Sequence, residues 1–230
     1  MNISTAQKLT AYLNFHETIV EQAAALAGTT STELDEKQFA SILAILQWPA
    51  RMIFVTGAPG SRKGYHAQLL SKMLGFVSPI AVPSPNPNAP KSETASFEHE
   101  AFARLLAQLL SPAYKKGAVV VNYPQNPIQA ETIVAMAKNL PTTTQLDVVK
   151  IALTRPNSIM FQTMGRPEKA GARYDAYVAA SRPAMEVLSQ GLGHYPIIVS
   201  GDIRQQSNLP KRLQLTQSRI NAALGIISHQ

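Results

Sequence analysis

Apolar and polar positions along the chain repeat with two different periods, and each change of period marks an element. From residues 5 to 27, Leu9, Tyr12, Leu13, Ile19, Val20 and Leu26 form a broken stripe at helical spacing, closed by Gly28. Thr30-Ser31-Thr32-Glu33 has the Ser/Thr-x-x-Glu form of a helix start, and Phe39, Ile42, Leu43 and Leu46 continue it as a second amphipathic helix ending near Trp48-Pro49. The unbroken apolar run Met52 to Val55 then predicts a buried strand, Gly57 to Gly60 a turn, and Ala67, Leu69, Leu70, Met73 and Leu74 a helix.

A second short apolar run spans Phe76 to Val82. The stretch Pro83 to Pro90 holds four prolines in eight residues, which excludes helix and central strand and predicts an extended surface loop. Ser96 to Leu110 reads as a helix stopped by Pro112, and Ala118 to Val121 as a β-branched, central parallel strand. Val148 to Leu153 predicts the next strand, Ser158 to Thr163 a short helix, Pro196 to Ser200 the last strand, and Leu209 to Ile227 a C-terminal helix. Strands alternating with helices predict an α/β fold, a parallel central sheet covered on both faces in three layers.

One segment organises this pattern. Strand, glycine-bearing turn, lysine and helix follow one another from Arg51 through Gly57-Ala58-Pro59-Gly60-Ser61-Arg62-Lys63-Gly64-Tyr65. That is the layout of a phosphate-binding loop, in which backbone N–H groups at a helix N-terminus surround an anion and a lysine adds a point charge. The usual pattern is G-x-x-x-x-G-K-[ST]. Here Arg62 stands at the second glycine and Gly64 at the hydroxyl residue.

Gly57 to Tyr65 resembles the loop of the adenylate kinase family, G-x-P-G-[SA]-G-K-G-T, whose glycine after the lysine matches Gly64. A second match is Tyr123, Pro124, Gln129 and Ala130, which resemble that family's Asp-Gly-[FY]-Pro-Arg-x-x-x-Gln-Ala. The family's aspartate falls on Val121 or Asn122 and its arginine on Gln125. A third match runs from Arg173 through Tyr177 and Ser181 to Pro183. Three signatures in the right order span about residues 52 to 203.

The resemblance implies a P-loop three-layer sandwich over residues 51–230, with a short lid at about 156–172 and residues 1–50 added as a helical pair. It further implies that Gly57 to Tyr65 hold the phosphates of ATP, that Lys63, Arg166 and Arg173 carry catalysis, and that Gln125 and Gln129 touch an acceptor such as AMP. Asn122 would be the remaining ligand for Mg²⁺. The family's Thr-Gly-Asp-x-Leu-Arg acceptor motif has no counterpart here, and the lid shows Gln162-x₃-Arg166 where the family carries two arginines.

Composition adds limits. The 230 residues are 45% apolar and 15% charged, enough for one sizeable packed domain. No cysteine is present, which excludes disulfides and thiolate metal sites and is compatible with the cytoplasm. No run approaches the roughly 18 apolar residues of a membrane span, and the N-terminus has neither the basic start nor the apolar core of a signal peptide. Residues 1–50 hold two lysines against five carboxylates, a net of −3, so the rest carries +10 of the total +7. A basic body suits nucleotides, whereas the lack of any long basic block argues against nucleic acid. The histidines form no metal-type pair, and Glu98-His99-Glu100 reads as a solvated helix face.

Two functions follow from these residues. One is an adenylate-kinase-like nucleotide-binding protein, descended from an ATP:nucleoside-monophosphate phosphotransferase, with reduced or lost activity. The changes at Arg62, Tyr65, Val121/Asn122 and Gln125 favour it. The other is an active nucleoside monophosphate or small-molecule kinase with a rebuilt acceptor site. The helical pair in 1–50 is either a packing cap or a contact arm for a protein partner or a second copy.

Overall fold

The computed structural model describes residues 47–84, 91–153, 167–200 and 209–226, together with Glu17, Ile19 and Glu21. Most of the expected N-terminal helical pair lies outside the described residues. So do residues 85–90 of the proline-rich stretch, residues 154–166 with the predicted short helix, most of the predicted lid and Arg166, and residues 201–208.

Strand β1 (Arg51–Gly57) is buried along nearly its whole length, because its alternating residues face two different helical layers. It pairs in parallel with β3 (Ala118–Val121) on one side and β4 (Gln145–Ala152) on the other. Strand β2 (Ile80–Ala81) extends the sheet beyond β3, and β5 (Ile197–Ser200) beyond β4, giving the five-stranded order β2-β3-β1-β4-β5. Met52, Phe54, Val120 and Val148 point to one face, where helices α2 (Lys91–Leu109), α3 (Pro127–Asn139) and α4 (Pro167–Gly191) pack. Ile53, Val55, Val119, Val121, Val149 and Ile151 point to the other, covered by α1 (Lys63–Leu74) and α5 (Leu209–Ala223). This is a three-layer α/β/α sandwich.

The layering follows from handedness. From β1 the chain moves outward past β3 to reach β2, whereas every later step moves in the opposite direction across the sheet. Right-handed crossovers therefore place α1 on one face and α2, α3 and α4 on the other. The connections that leave the carboxyl ends of β1 and its neighbour β3 run to opposite faces, and such a reversal opens the crevice where open parallel sheets bind ligands.

Local chemistry sets the element ends. Asn126 caps α3, its Oδ1 accepting from the Gln129 N–H at 2.9 Å, with Pro127 at the first helical position. Gly75 closes α1 in the left-handed region, and the following Phe76 N–H returns to the Ser71 carbonyl at 2.8 Å. Gly225, at φ 66°, ends the C-terminal helix at Ala223, short of the predicted Ile227. The apolar run Phe76 to Val82 yields only the two-residue β2, since Pro79 has no N–H to give a neighbouring strand. Helix α2 begins at Lys91, directly after Pro90 and ahead of the predicted Ser96.

Arg51 fastens the opposite end of the sheet. Its Nε and Nη2 donate to Asp147 on β4 at 3.0 and 2.9 Å, and Nη2 also reaches the Leu224 carbonyl after α5. Ile19 is fully buried and belongs to the same core cluster as Trp48 and Met52. Among the described residues, no helix is long and apolar enough to cross a membrane.

Leu106 is fully buried under α2, and its replacement leaves a cavity in the larger core cluster. Leu106→Ala is expected to lower stability by about 2–5 kcal/mol, read from the shift of the urea unfolding midpoint.

Candidate functional site

The chain leaves β1 through a turn with no spare room. A Cβ on Gly57 would lie 2.6 Å from Ser61 Oγ and 2.9 Å from the Ile151 carbonyl oxygen, so only glycine fits without rearrangement. Gly60 takes φ 84°, the Ser61 N–H closes back onto the Ala58 carbonyl at 3.1 Å, and Arg62 follows at φ 57°, ψ 26°. The left-handed Arg62 stands immediately before α1, its side chain exposed, and no side chain caps that helix. The first intrahelical bond is His66 N–H to the Arg62 carbonyl. The Lys63, Gly64 and Tyr65 N–H groups precede it and form the donor end of the helix.

Three features make this end attractive to an anion. The Ser61 hydroxyl is buried and hydrogen-bonds to none of the described residues. The Lys63 ammonium makes no hydrogen bond or ion pair with the described residues, and burial lowers its pKa. Two cations, Arg62 and Lys63, stand at the positive end of the α1 dipole with no acidic residue in the first turn. That placement costs a few tenths to 1 kcal/mol per charge, roughly, in the absence of a compensating anion. Tyr65 is 44% exposed and meets His66 edge-on at 5.3 Å, so its ring lies on the solvent side of the first turn.

The loop after β3 is tied to the same edge. Thr56 Oγ1 donates to the Pro124 carbonyl at 2.7 Å, and the Asn122 N–H donates to the Val55 carbonyl at 2.9 Å. Asn122 itself is left-handed at φ 73°, with its Nδ2 donating to the Val82 carbonyl and to Ser84 Oγ. Gln125 donates from Nε2 to the Asn122 carbonyl and accepts at Oε1 from Ser84 Oγ. These residues close the loop upon β2; no charge is available at either position.

Gln129 is 1% exposed, with its Nε2 donating to Glu98 and its Oε1 accepting from the Gln125 N–H, both at 2.7 Å. Both ends of the amide are engaged, so the structure gives it a packing role rather than a free edge for an acceptor base. Glu98 corrects a second expectation. It is buried, accepts from Asn126 and Gln129 at 2.7 Å each, and burial raises its pKa; only Glu100 of the expected solvated face is exposed, paired with Arg104. Helical spacing from Phe102 and Leu105 would have placed Glu98 inward, but nothing in the sequence announced its two amide partners.

Helix α4 brings Tyr177 to within 3.4 Å of Thr56 Oγ1, Ser181 to within 3.2 Å of Lys150 Nζ, and the Tyr174 hydroxyl to the Leu153 carbonyl at 2.6 Å. The inward face of this helix is thus Tyr174, Tyr177 and Ser181. Arg173, expected to face inward, is exposed. Among the described residues no three acidic, histidine or cysteine side chains cluster, and Ser61 and Asn122 offer only neutral oxygens at this edge, whereas Mg²⁺ is usually held by one or two carboxylates together with substrate phosphates and water. The chain matches no known family model and no curated protein sequence.

Two measurements follow from this geometry. Arg62→Gly removes a side chain from a left-handed position and one cation from the helix N-terminus, and is expected to raise stability by about 1 kcal/mol, read as a higher urea midpoint. His66 is 1% exposed, with Nδ1 2.8 Å from Gln217 Oε1, and burial lowers its pKa more than the Gln217 hydrogen bond raises it. The fold therefore favours neutral imidazole. Its contribution is complete above the unfolded value of about 6.5 and is lost as pH falls through the lower folded value. Stability measured from pH 7.5 to 5 is expected to decline on the acid side, with a smaller decline in His66→Asn.

Proposed function

We propose that the protein is an adenylate-kinase-like nucleotide-binding protein in which Gly57 to Tyr65 take the phosphates of ATP and phosphoryl transfer is reduced or lost. The observation that carries this reading is Lys63: a desolvated ammonium with no partner among the described residues, at an uncapped helix N-terminus, two positions after the buried Ser61 hydroxyl, which likewise has no partner among them. Every one of these groups gains from an anion, and the ammonium and the helix dipole gain most from its charge.

Reduced transfer follows from the neighbouring positions. Phosphoryl transfer depends on charge neutralisation and positioning. Gln125 brings no cation, Asn122 no carboxylate, and both side chains are engaged in closing the loop. In this reading Lys63 and the first-turn amides of α1 bind and orient the phosphates, while Arg62 adds a charge from the solvent side. A cytoplasmic setting, where ATP and nucleoside monophosphates are supplied, goes with it.

A second reading, an active nucleoside monophosphate or small-molecule kinase, is favoured by one observation. Arg173 is exposed one turn before Tyr177, whose hydroxyl reaches Thr56 at the end of β1. In that case Arg173 carries charge to the transferring group, with Arg166 as its companion.

Equilibrium binding of a fluorescent ATP analogue is expected to weaken at least about tenfold in Lys63→Ala, the order of one lost charge-assisted contact. Binding unchanged by Lys63→Ala contradicts the phosphate-loop reading. Turnover with ATP and a panel of AMP, CMP, UMP and GMP, compared with Lys63→Ala, separates the two readings. Equal and negligible rates support the first, and wild-type activity well above the variant supports the second.

A further inference from the structure

Glu98 is a buried acid whose hydrogen bonds fix its charge state. The Gln129 side chain meets the Gln125 N–H at 2.7 Å, so the atom on that side is the amide oxygen. Asn126 meets the Gln129 N–H at 2.9 Å, and its oxygen is fixed in the same way. Each amide therefore turns its NH2 group to Glu98, Gln129 to Oε2 and Asn126 to Oε1, both at 2.7 Å. A carboxyl group that accepts at both oxygens holds no proton, because the hydroxyl of a protonated one would face a donor. Glu98 is thus ionised at 5% exposure, with no ion pair to a cation among the described residues.

The groups around it are few. Tyr123, on the loop after β3, is the titratable side chain that feels its charge; burial first, and Glu98 second, raise the Tyr123 pKa, so it stays a neutral phenol. On α3 the next acid, Glu131, lies two positions beyond Gln129 and so on another face of the helix. On α2, Glu100 is exposed and paired with Arg104, and His99 is half-buried. The start of α3, with its positive dipole end, favours the carboxylate. From there the bonds run on to the ligand crevice: Gln125 Nε2 donates to the Asn122 carbonyl, and the Pro124 carbonyl accepts from Thr56 at the end of β1.

A single proton upsets this arrangement. On Oε2 it requires Gln129 to turn its oxygen towards Glu98, and the Gln129 NH2 group then meets the Gln125 N–H. On Oε1 it requires Asn126 to turn instead, and the Gln129 N–H loses its cap. In either case one backbone N–H where the loop joins α3 is left facing a donor. Burial raises the pKa of Glu98 and the two amide bonds lower it by less, so the proton binds above the ordinary glutamate range. The ionised acid costs stability above that value, and protonation relieves the cost as pH falls through it, so Glu98 opens the junction without itself favouring unfolding. We infer that Glu98 is a pH-sensitive latch: ionised, it holds the loop after β3 to the start of α3; protonated, it releases the Gln125 or the Gln129 N–H and loosens that wall of the crevice. The latch does not depend on an anion binding at α1.

The test follows the carboxyl carbon resonance of Glu98 and the hydrogen-exchange protection of the Gln125 and Gln129 amides in the full chain, from about pH 8 to about pH 4. The Glu98 signal is the glutamate resonance missing in Glu98→Gln. Wild type is expected to lose protection at least about fivefold at one of the two amides, the order of one lost hydrogen bond, with the same midpoint as the carboxyl. Glu98→Gln carries an NH2 group where one oxygen stood. It is expected to show the same loss at neutral pH and no step at that midpoint. A Glu98 that takes up its proton while both amides keep their protection overturns the proposal. So does a Glu98 already protonated at neutral pH, or a folded Glu98→Gln in which both amides match wild type. Should the variant fail to fold, the wild-type titration decides by the same criterion, with the Glu98 signal assigned through its coupling to its own backbone.

Discussion

The carboxyl edge of the sheet depends on one steric constraint, the lack of room beside Gly57. A central strand buried on both faces must leave the sheet without clashing with its neighbour β4, and the Ile151 carbonyl and Ser61 hydroxyl leave space for a hydrogen alone. From that point the turn geometry propagates. Gly60 and Arg62 both take positive φ, and α1 starts directly after them at Lys63. A tight exit from a buried strand thus fixes where the donor end of a helix stands.

Electrostatics then distinguishes this helix start from an ordinary one. Helix N-termini favour acidic side chains, and α3 satisfies its own with the Asn126 cap. Helix α1 has no cap, no acidic residue, and two cations in their place. Alone, these charges oppose the dipole and Lys63 is desolvated; an anion held between them offsets these costs. The loop after β3 behaves differently. Its polar side chains hydrogen-bond one another or the backbone, so it braces the edge and leaves the charge to the α1 side.

Most of the fold was legible because strands buried on both faces read as unbroken apolar runs, as Met52 to Val55 and Ala118 to Val121 do. The tight turn from β1 into α1 was legible from Gly57 and Gly60 between an apolar run and an apolar-periodic helix. Partnership of side chains was not legible. Gln129 matched an acceptor-contacting position by order, yet its amide is held by Glu98 and Gln125, a contact between segments 31 residues apart that no local spacing encodes. Arg173 was placed inward from the same kind of match, yet its side chain is exposed, one turn before the Tyr177 whose hydroxyl reaches Thr56. The buried Ser61 hydroxyl could not be told from any exposed loop serine until the turn was seen in three dimensions.

The central claim is that the loop after β1 takes phosphate at the start of α1. It is tested most directly by mapping backbone amide chemical shifts while ATP is titrated into the labelled protein. The account predicts saturable shifts centred on Gly60 to Tyr65, reproduced by inorganic tripolyphosphate. Shifts that leave these amides unmoved, or that centre on another surface, contradict it.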